Sequence, residues 1–124
     1  LSAKGELLST KDMGGGAPRA AYWDASLQRA WLIKGRLSKF GGGELSPKIE
    51  SNVITVADVL GDCREEIVTS LPGELRIYST TLPANNRRPC LMQDPIYRLD
   101  VVGGALSYYQ VPGINRLPSA NPPR

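Results

Sequence analysis

The chain has 124 residues, 41% of them hydrophobic and 22% charged, which suits one modest globular core and excludes a disordered segment. Its formal net charge is only +3 and its Lys and Arg residues are scattered, so no basic stripe interleaved with aromatics marks a nucleic-acid surface. It has no histidine, which removes His-based hydrolytic triads and the usual zinc ligands, and no apolar run is long enough to span a membrane.

Glycine and proline punctuate the sequence at the spacing of short strands rather than helices. The chain opens on Leu1 rather than a methionine and without a signal peptide, and the expectation is that a further N-terminal part precedes it. The Gly14-Gly15-Gly16 and Gly41-Gly42-Gly43 runs lack a following helix and a Gly-Lys-Ser/Thr, so they are loops rather than phosphate cradles. Strands are expected over residues 18–24, 28–34, 36–40, 53–59, 66–71, 74–80, 97–102 and 106–111. In the sixth of these, Leu75 and Ile77 alternate with Arg76 and Tyr78, the period of a half-buried strand. No window shows a stripe of helical period, so the expected class is all-β.

Two units repeat. The first runs from Ala20-Ala21-Tyr22-Trp23-Asp24 to Phe40, the second from Ile54-Thr55-Val56-Ala57-Asp58 to Tyr78. Each is an apolar strand ending in Asp, a polar loop with Arg, a second strand, a tight turn and a third strand. Such self-similar units are the signature of β-propeller blades, expected here over residues 1–116. The tail, residues 117–124, carries three prolines and is expected to be irregular.

The most chemically loaded stretch is Asp58-Val59-Leu60-Gly61-Asp62-Cys63-Arg64-Glu65-Glu66. Counting Asp58 as position one, Asp62 is five, the Arg64 carbonyl seven and Glu66 nine, with Gly61 allowing the curl, a pattern that can wrap oxygen ligands around Ca²⁺. Leu60 stands where a further acid is expected of such a loop. The same residues also suit a second reading, in which the aspartates cap turn amides and a glutamate pairs with Arg64. The equivalent loop of the first unit, beginning at Asp24, has lost most of its acids. Cys63 and Cys90 do not have zinc-site spacing; they are either a pair or two buried thiols.

Residues 57–66, Ala-Asp-Val-Leu-Gly-Asp-Cys-Arg-Glu-Glu, resemble the hallmark of the rhamnogalacturonan lyases (polysaccharide lyase family 11), which carries Trp at the position of Cys63. The resemblance continues in order through Leu75-Arg76-Ile77-Tyr78, through Leu91-Met92-Gln93-Asp94-Pro95-Ile96-Tyr97-Arg98-Leu99, and through Tyr108-Tyr109-Gln110-Val111-Pro112. More loosely, Trp23-Asp24 followed by Gln28-Arg29 is similar to the family's preceding blade. The resemblance implies the C-terminal quarter to third of an eight-bladed β-propeller, whose remaining blades would be the chain's partners.

It further implies a secreted, cell-surface or periplasmic protein acting on an acidic polysaccharide. The implied reaction is calcium-assisted β-elimination in the galacturonate–rhamnose backbone of pectin or another uronate glycan. Cations neutralise the uronate carboxylate while a base removes the neighbouring proton. Tyr108 matches the family's active-site tyrosine. The family's lysine position, eight residues before Asp58, is Glu50 here, with Lys48 two residues away; Gln93 stands for the family's histidine. Tyr108 and Lys48 are therefore the candidate catalytic residues, and Asp58, Asp62 and Glu66 the candidate metal ligands. The alternative implied by Glu50 and Gln93 is a non-catalytic, calcium-stabilised propeller that binds glycan or protein.

Overall fold

The computed structural model describes residues 2–7, 10, 19–24, 26–50, 52–84, 88–106, 108 and 110–115. The Gly14–Gly16 run, Tyr109 and the proline-rich tail lie outside the described residues. The fold is mostly β-sheet with one helix. Strands β1 (Arg19–Ala21), β2 (Ala30–Ile33) and β3 (Arg36–Ser38) form one antiparallel meander. Strands β4 (Asn52–Ala57), β5 (Glu66–Leu71) and β6 (Glu74–Tyr78) form a second of the same order. The two repeated units of the sequence are these two sheets, and the second is a three-stranded antiparallel sheet with Val56 and Ala57 buried.

Local chemistry sets the hairpins. Ile33 pairs with Arg36 across a two-residue loop, Lys34-Gly35, with φ of 50° and 78°. Positive φ at both central residues is the type I′ requirement, and its twist matches that of the flanking strands. Leu71 pairs with Glu74 across Pro72-Gly73, where proline presets the first φ and Gly73 takes the positive value. Beyond β3, residues 44–49 run back beside it through a Ser38–Glu44 bridge and amide bonds from Leu45 to Leu37 and from Ile49 to Gly35. A Cβ at Gly35 would stand 2.4 Å from the Ile49 carbonyl oxygen, so the turn needs glycine for space as well as for φ.

The core lies between the sheets. Ala21, Trp23, Ala30, Leu32, Leu37 and Ile49 come from the first unit, Val56 and Ile67 from the second, with Leu45, Val53 and Tyr78 packed around them. On the β6 strand the alternation holds, but the partly buried face carries Arg76 and Tyr78. Leu75 and Ile77 point outward, 62% and 56% exposed.

The structure corrects two expected strands. Residues 97–102 belong to a helix, α1 (Pro95–Ala105), preceded by a 3₁₀ turn over Leu91–Gln93, and the described residues among 106–111 form no strand. The helix starts because Asp94 caps it, its side chain accepting from the Ile96 and Tyr97 amides, and because Pro95 occupies the first turn where no amide partner is missed. Its interior of Ile96, Val101, Val102, Gly103 and Gly104 is poor helix sequence, and Ile96, Leu99 and Val102 are exposed. Only Tyr97 is a large buried side chain, so the helical period leaves almost no apolar stripe to detect.

Candidate functional site

Strand β4 ends at Ala57, and Asp58, fully buried, becomes the hub of the loop that follows. Its Oδ1 accepts from the Gly61 and Asp62 amides at 2.8 and 3.0 Å, and its Oδ2 from the Cys63 and Leu91 amides at 3.1 and 2.7 Å. Gly61 and Cys63 both adopt positive φ, which turns successive amides inward to make an anion-accepting nest around the carboxylate. Asp58 thus ties the loop to the segment entering the 3₁₀ turn, 33 residues on.

Neighbouring acids are also occupied. Glu66 Oε2 accepts from the Val59 and Leu60 amides, both at 3.1 Å, and its Oε1 from the Ser79 hydroxyl. Burial holds the Glu66 carboxyl above its ordinary range despite those amides. Asp62 pairs with the Arg64 guanidinium, which pulls its carboxyl below the usual range, and Arg64 also donates to the Leu82 carbonyl. Among the described residues no group of three Asp, Glu, Cys or His side chains is arranged to hold a metal ion.

In this arrangement the oxygens of Asp58, Asp62 and Glu66, the ligands expected from the spacing, accept from amides, the Ser79 hydroxyl and the Arg64 guanidinium. The loop residues do not fit a calcium ion in this arrangement. In the first unit Asp24 plays a similar part, accepting from the Ser26 amide and hydroxyl and pairing with Lys39.

Beside the nest lies a buried polar cluster that the reading of the loop missed. Glu65, wholly buried, accepts from the Tyr22 amide at 2.7 Å and from the Tyr97 hydroxyl at 2.6 Å. Its own amide donates to the Tyr22 carbonyl, and the Tyr97 hydroxyl accepts in turn from the Asp58 amide at 3.0 Å. Arg29 stands 3.9 Å from Glu65, lies over the Tyr22 ring and donates to the Pro112 carbonyl. One carboxylate thereby clasps both sheets and the helix. Desolvation raises the Glu65 carboxyl above its ordinary range, and burial, with Glu65 beside it, raises the Tyr97 phenol. The signal was present in the sequence: Glu65 and Tyr97 both fall inside the matching motifs.

The two candidate catalytic residues sit elsewhere. Tyr108 follows α1, its amide bonded to the Gly103 carbonyl and its side chain 83% exposed. Lys48 is exposed on the segment beside β3, next to the buried Ile49. No hydrogen bond or ion pair joins the two among the described residues. Glu50, at the family's lysine position, is held by Arg76 at 2.7 Å, and its amide donates to the Tyr78 hydroxyl. Arg76 also pairs with Glu74.

Residues 1–116 match the family described as rhamnogalacturonan lyase family 11, C-terminal domain. The chain is 34% identical over 134 aligned residues to the rhamnogalacturonan endolyase YesW of Bacillus subtilis (strain 168), covering 89% of this chain and 21% of that protein. It is 33% identical over 102 residues to the rhamnogalacturonan exolyase YesX of the same organism, covering 78% and 16%. The crystal structure of rhamnogalacturonan lyase YesW superposes with a TM-score of 0.63 at 32% identity, over 77% of this chain and 19% of that one. The chain thus spans about a fifth of the length of the relatives it matches. With its two sheets, capped helix and motif-bearing loop, the chain belongs to rhamnogalacturonan lyase family 11, as a C-terminal domain of that family.

Proposed function

We propose that this chain is the C-terminal part of an eight-bladed β-propeller lyase that cleaves an acidic polysaccharide, the rhamnogalacturonan backbone of pectin or another uronate glycan, by β-elimination. Family membership supports the chemistry, and the repeated three-stranded meanders with an uncovered apolar face support the propeller. The single observation that carries a catalytic role is the solvent-facing phenol of Tyr108 within a matching motif.

In β-elimination the proton next to the uronate carboxylate leaves carbon to a base, and the electron pair expels the C4 oxygen. Tyr108 would contact the sugar and move or position that proton, with Lys48 as the assisting cation. A neutral phenol is a weak base for a carbon acid, so Tyr108 acts together with a cation. Calcium assistance, in this proposal, comes from ligands other than Asp58, Asp62 and Glu66. A secreted, cell-surface or periplasmic placement goes with such a polymeric substrate.

The test is unsaturated-product absorbance from the full-length protein on rhamnogalacturonan and other polyuronates, with and without calcium. Tyr108→Phe is expected to lower kcat by roughly 100-fold with unchanged unfolding behaviour. Full activity of that variant removes the tyrosine from the mechanism. A second reading is favoured by Glu50, whose pairing with Arg76 places an anion at the family's lysine position. In it the propeller binds glycan or protein without cleaving it. A wild-type protein that binds polyuronate and releases no unsaturated product supports this second reading.

A further inference from the structure

The nest around Asp58 also brings together the chain's only two cysteines, 27 positions apart in sequence and both free thiols. The Cys63 amide and the amide of Leu91, the residue bonded to Cys90, donate to the same Asp58 Oδ2 at 3.1 and 2.7 Å. The two backbones are thus no further apart at these amides than those two bonds laid end to end. The Cys90 sulfur lies 3.7 Å from where a Cβ on Gly61, two residues before Cys63, would stand. Exposure is unequal: Cys63 is buried and Cys90 half-buried.

We propose that Cys63 and Cys90 form a redox-responsive disulfide that staples the Asp58 loop to the segment leading into α1. The oxidant is a small-molecule disulfide. Cys90, the accessible thiol, attacks one sulfur of the oxidant as its thiolate, giving a mixed disulfide and releasing one thiol. Cys63 then attacks the Cys90 sulfur, the Cys63–Cys90 bond forms and the second thiol leaves. Two protein thiols are oxidised, one disulfide is reduced to two thiols, and the two protons pass to them. Cys90 lies outside regular secondary structure, so its backbone and χ1 can adjust to the Cα separation that a disulfide requires.

The experiment treats the full-length protein with oxidised glutathione, then digests it without reduction and reads the peptides by mass spectrometry. Peptides bearing Cys63 and Cys90 are expected as one cross-linked species, lost on dithiothreitol treatment. The oxidised form is expected to unfold roughly 5 °C above the reduced form. That difference disappears in Cys90→Ser, and independently in Cys63→Ala. Glutathione adducts on separate peptides, or two unmodified thiols after prolonged oxidation, overturn the proposal. So does a melting shift that persists in Cys90→Ser.

Discussion

Asp58 accepts four backbone amides from two distant segments, and each such bond to a charged acceptor is worth about 1.5–3 kcal/mol. Asp58→Asn keeps the shape but replaces one acceptor oxygen with a donor that faces amide N–H groups. The expected loss is about 2–4 kcal/mol in denaturant unfolding. Because amides rather than a cation hold this carboxylate, the loss is expected to be equal in calcium and in chelator. A loss confined to calcium-containing buffer would restore the metal reading of the loop. Glu65 offers a pH test. Its carboxyl titrates above its ordinary value near 4.5 because burial penalises the charge, with Tyr97, Tyr22, Arg29 and Asp58 around it. A carboxyl raised on folding contributes most when protonated, below its unfolded pKa. Its contribution falls as pH rises from there through the folded-state pKa, and is constant above. The uncharged Glu65→Gln does not titrate. The stability gap between wild type and this variant is therefore expected to be widest at acid pH and to narrow as pH rises, as read by urea unfolding across a pH series.

At the scale of elements, the two hairpin turns make a controlled comparison. Gly35 and Gly73 have nearly the same positive φ, 78° and 76°. A Cβ at Gly73 meets open space, whereas at Gly35 it meets the Ile49 carbonyl. Gly73→Ala is expected to cost only the left-handed backbone penalty, about 1 kcal/mol. Gly35→Ala adds the displacement of the 44–49 segment and its amide bond to Gly35, and about 2–4 kcal/mol is expected. Chemical denaturation of the two variants side by side reads the difference. Equal losses would show that the Ile49 segment yields freely and contributes little to the first sheet. The helix follows a different logic: it is held by its Asp94 cap and by the Tyr97 hydroxyl within the buried cluster, not by an apolar stripe.

At the scale of the molecule, the outer face of the second sheet and the outer side of α1 expose large apolar residues, among them Leu75, Ile77, Leu99 and Val102. Scattered exposed apolar residues are ordinary, whereas large contiguous apolar patches mark interaction sites. In the propeller reading, further blades cover these residues. The chain on its own is then expected to self-associate or aggregate, measured by size-exclusion chromatography with light scattering. Leu75→Lys combined with Ile77→Lys is expected to shift it toward monomer without unfolding the sheet, since neither side chain enters the core. A monodisperse monomer of the unaltered chain at high concentration argues against the covering blades.

The six strands of the two meanders, the turns between them, the repeat that relates them and the family are all legible in the sequence. These rest on local rules: alternation of side chains, positive-φ residues at turns and motifs read in order. The sequence also marked the loop at Asp58 as the place where chemistry is concentrated, through the density of acids around Gly61. What those acids accept from is visible only in three dimensions. Whether a carboxylate binds a cation or a set of amides depends on what surrounds it in space. Here the fourth amide on Asp58 comes from Leu91, and the clasp on Glu65 joins Tyr22 and Tyr97, all remote in sequence. The helix was hidden for a related reason. Its residues favour strand locally, and its one strong buried contact is a polar hydroxyl inside another element's network, which no periodicity of apolar residues records.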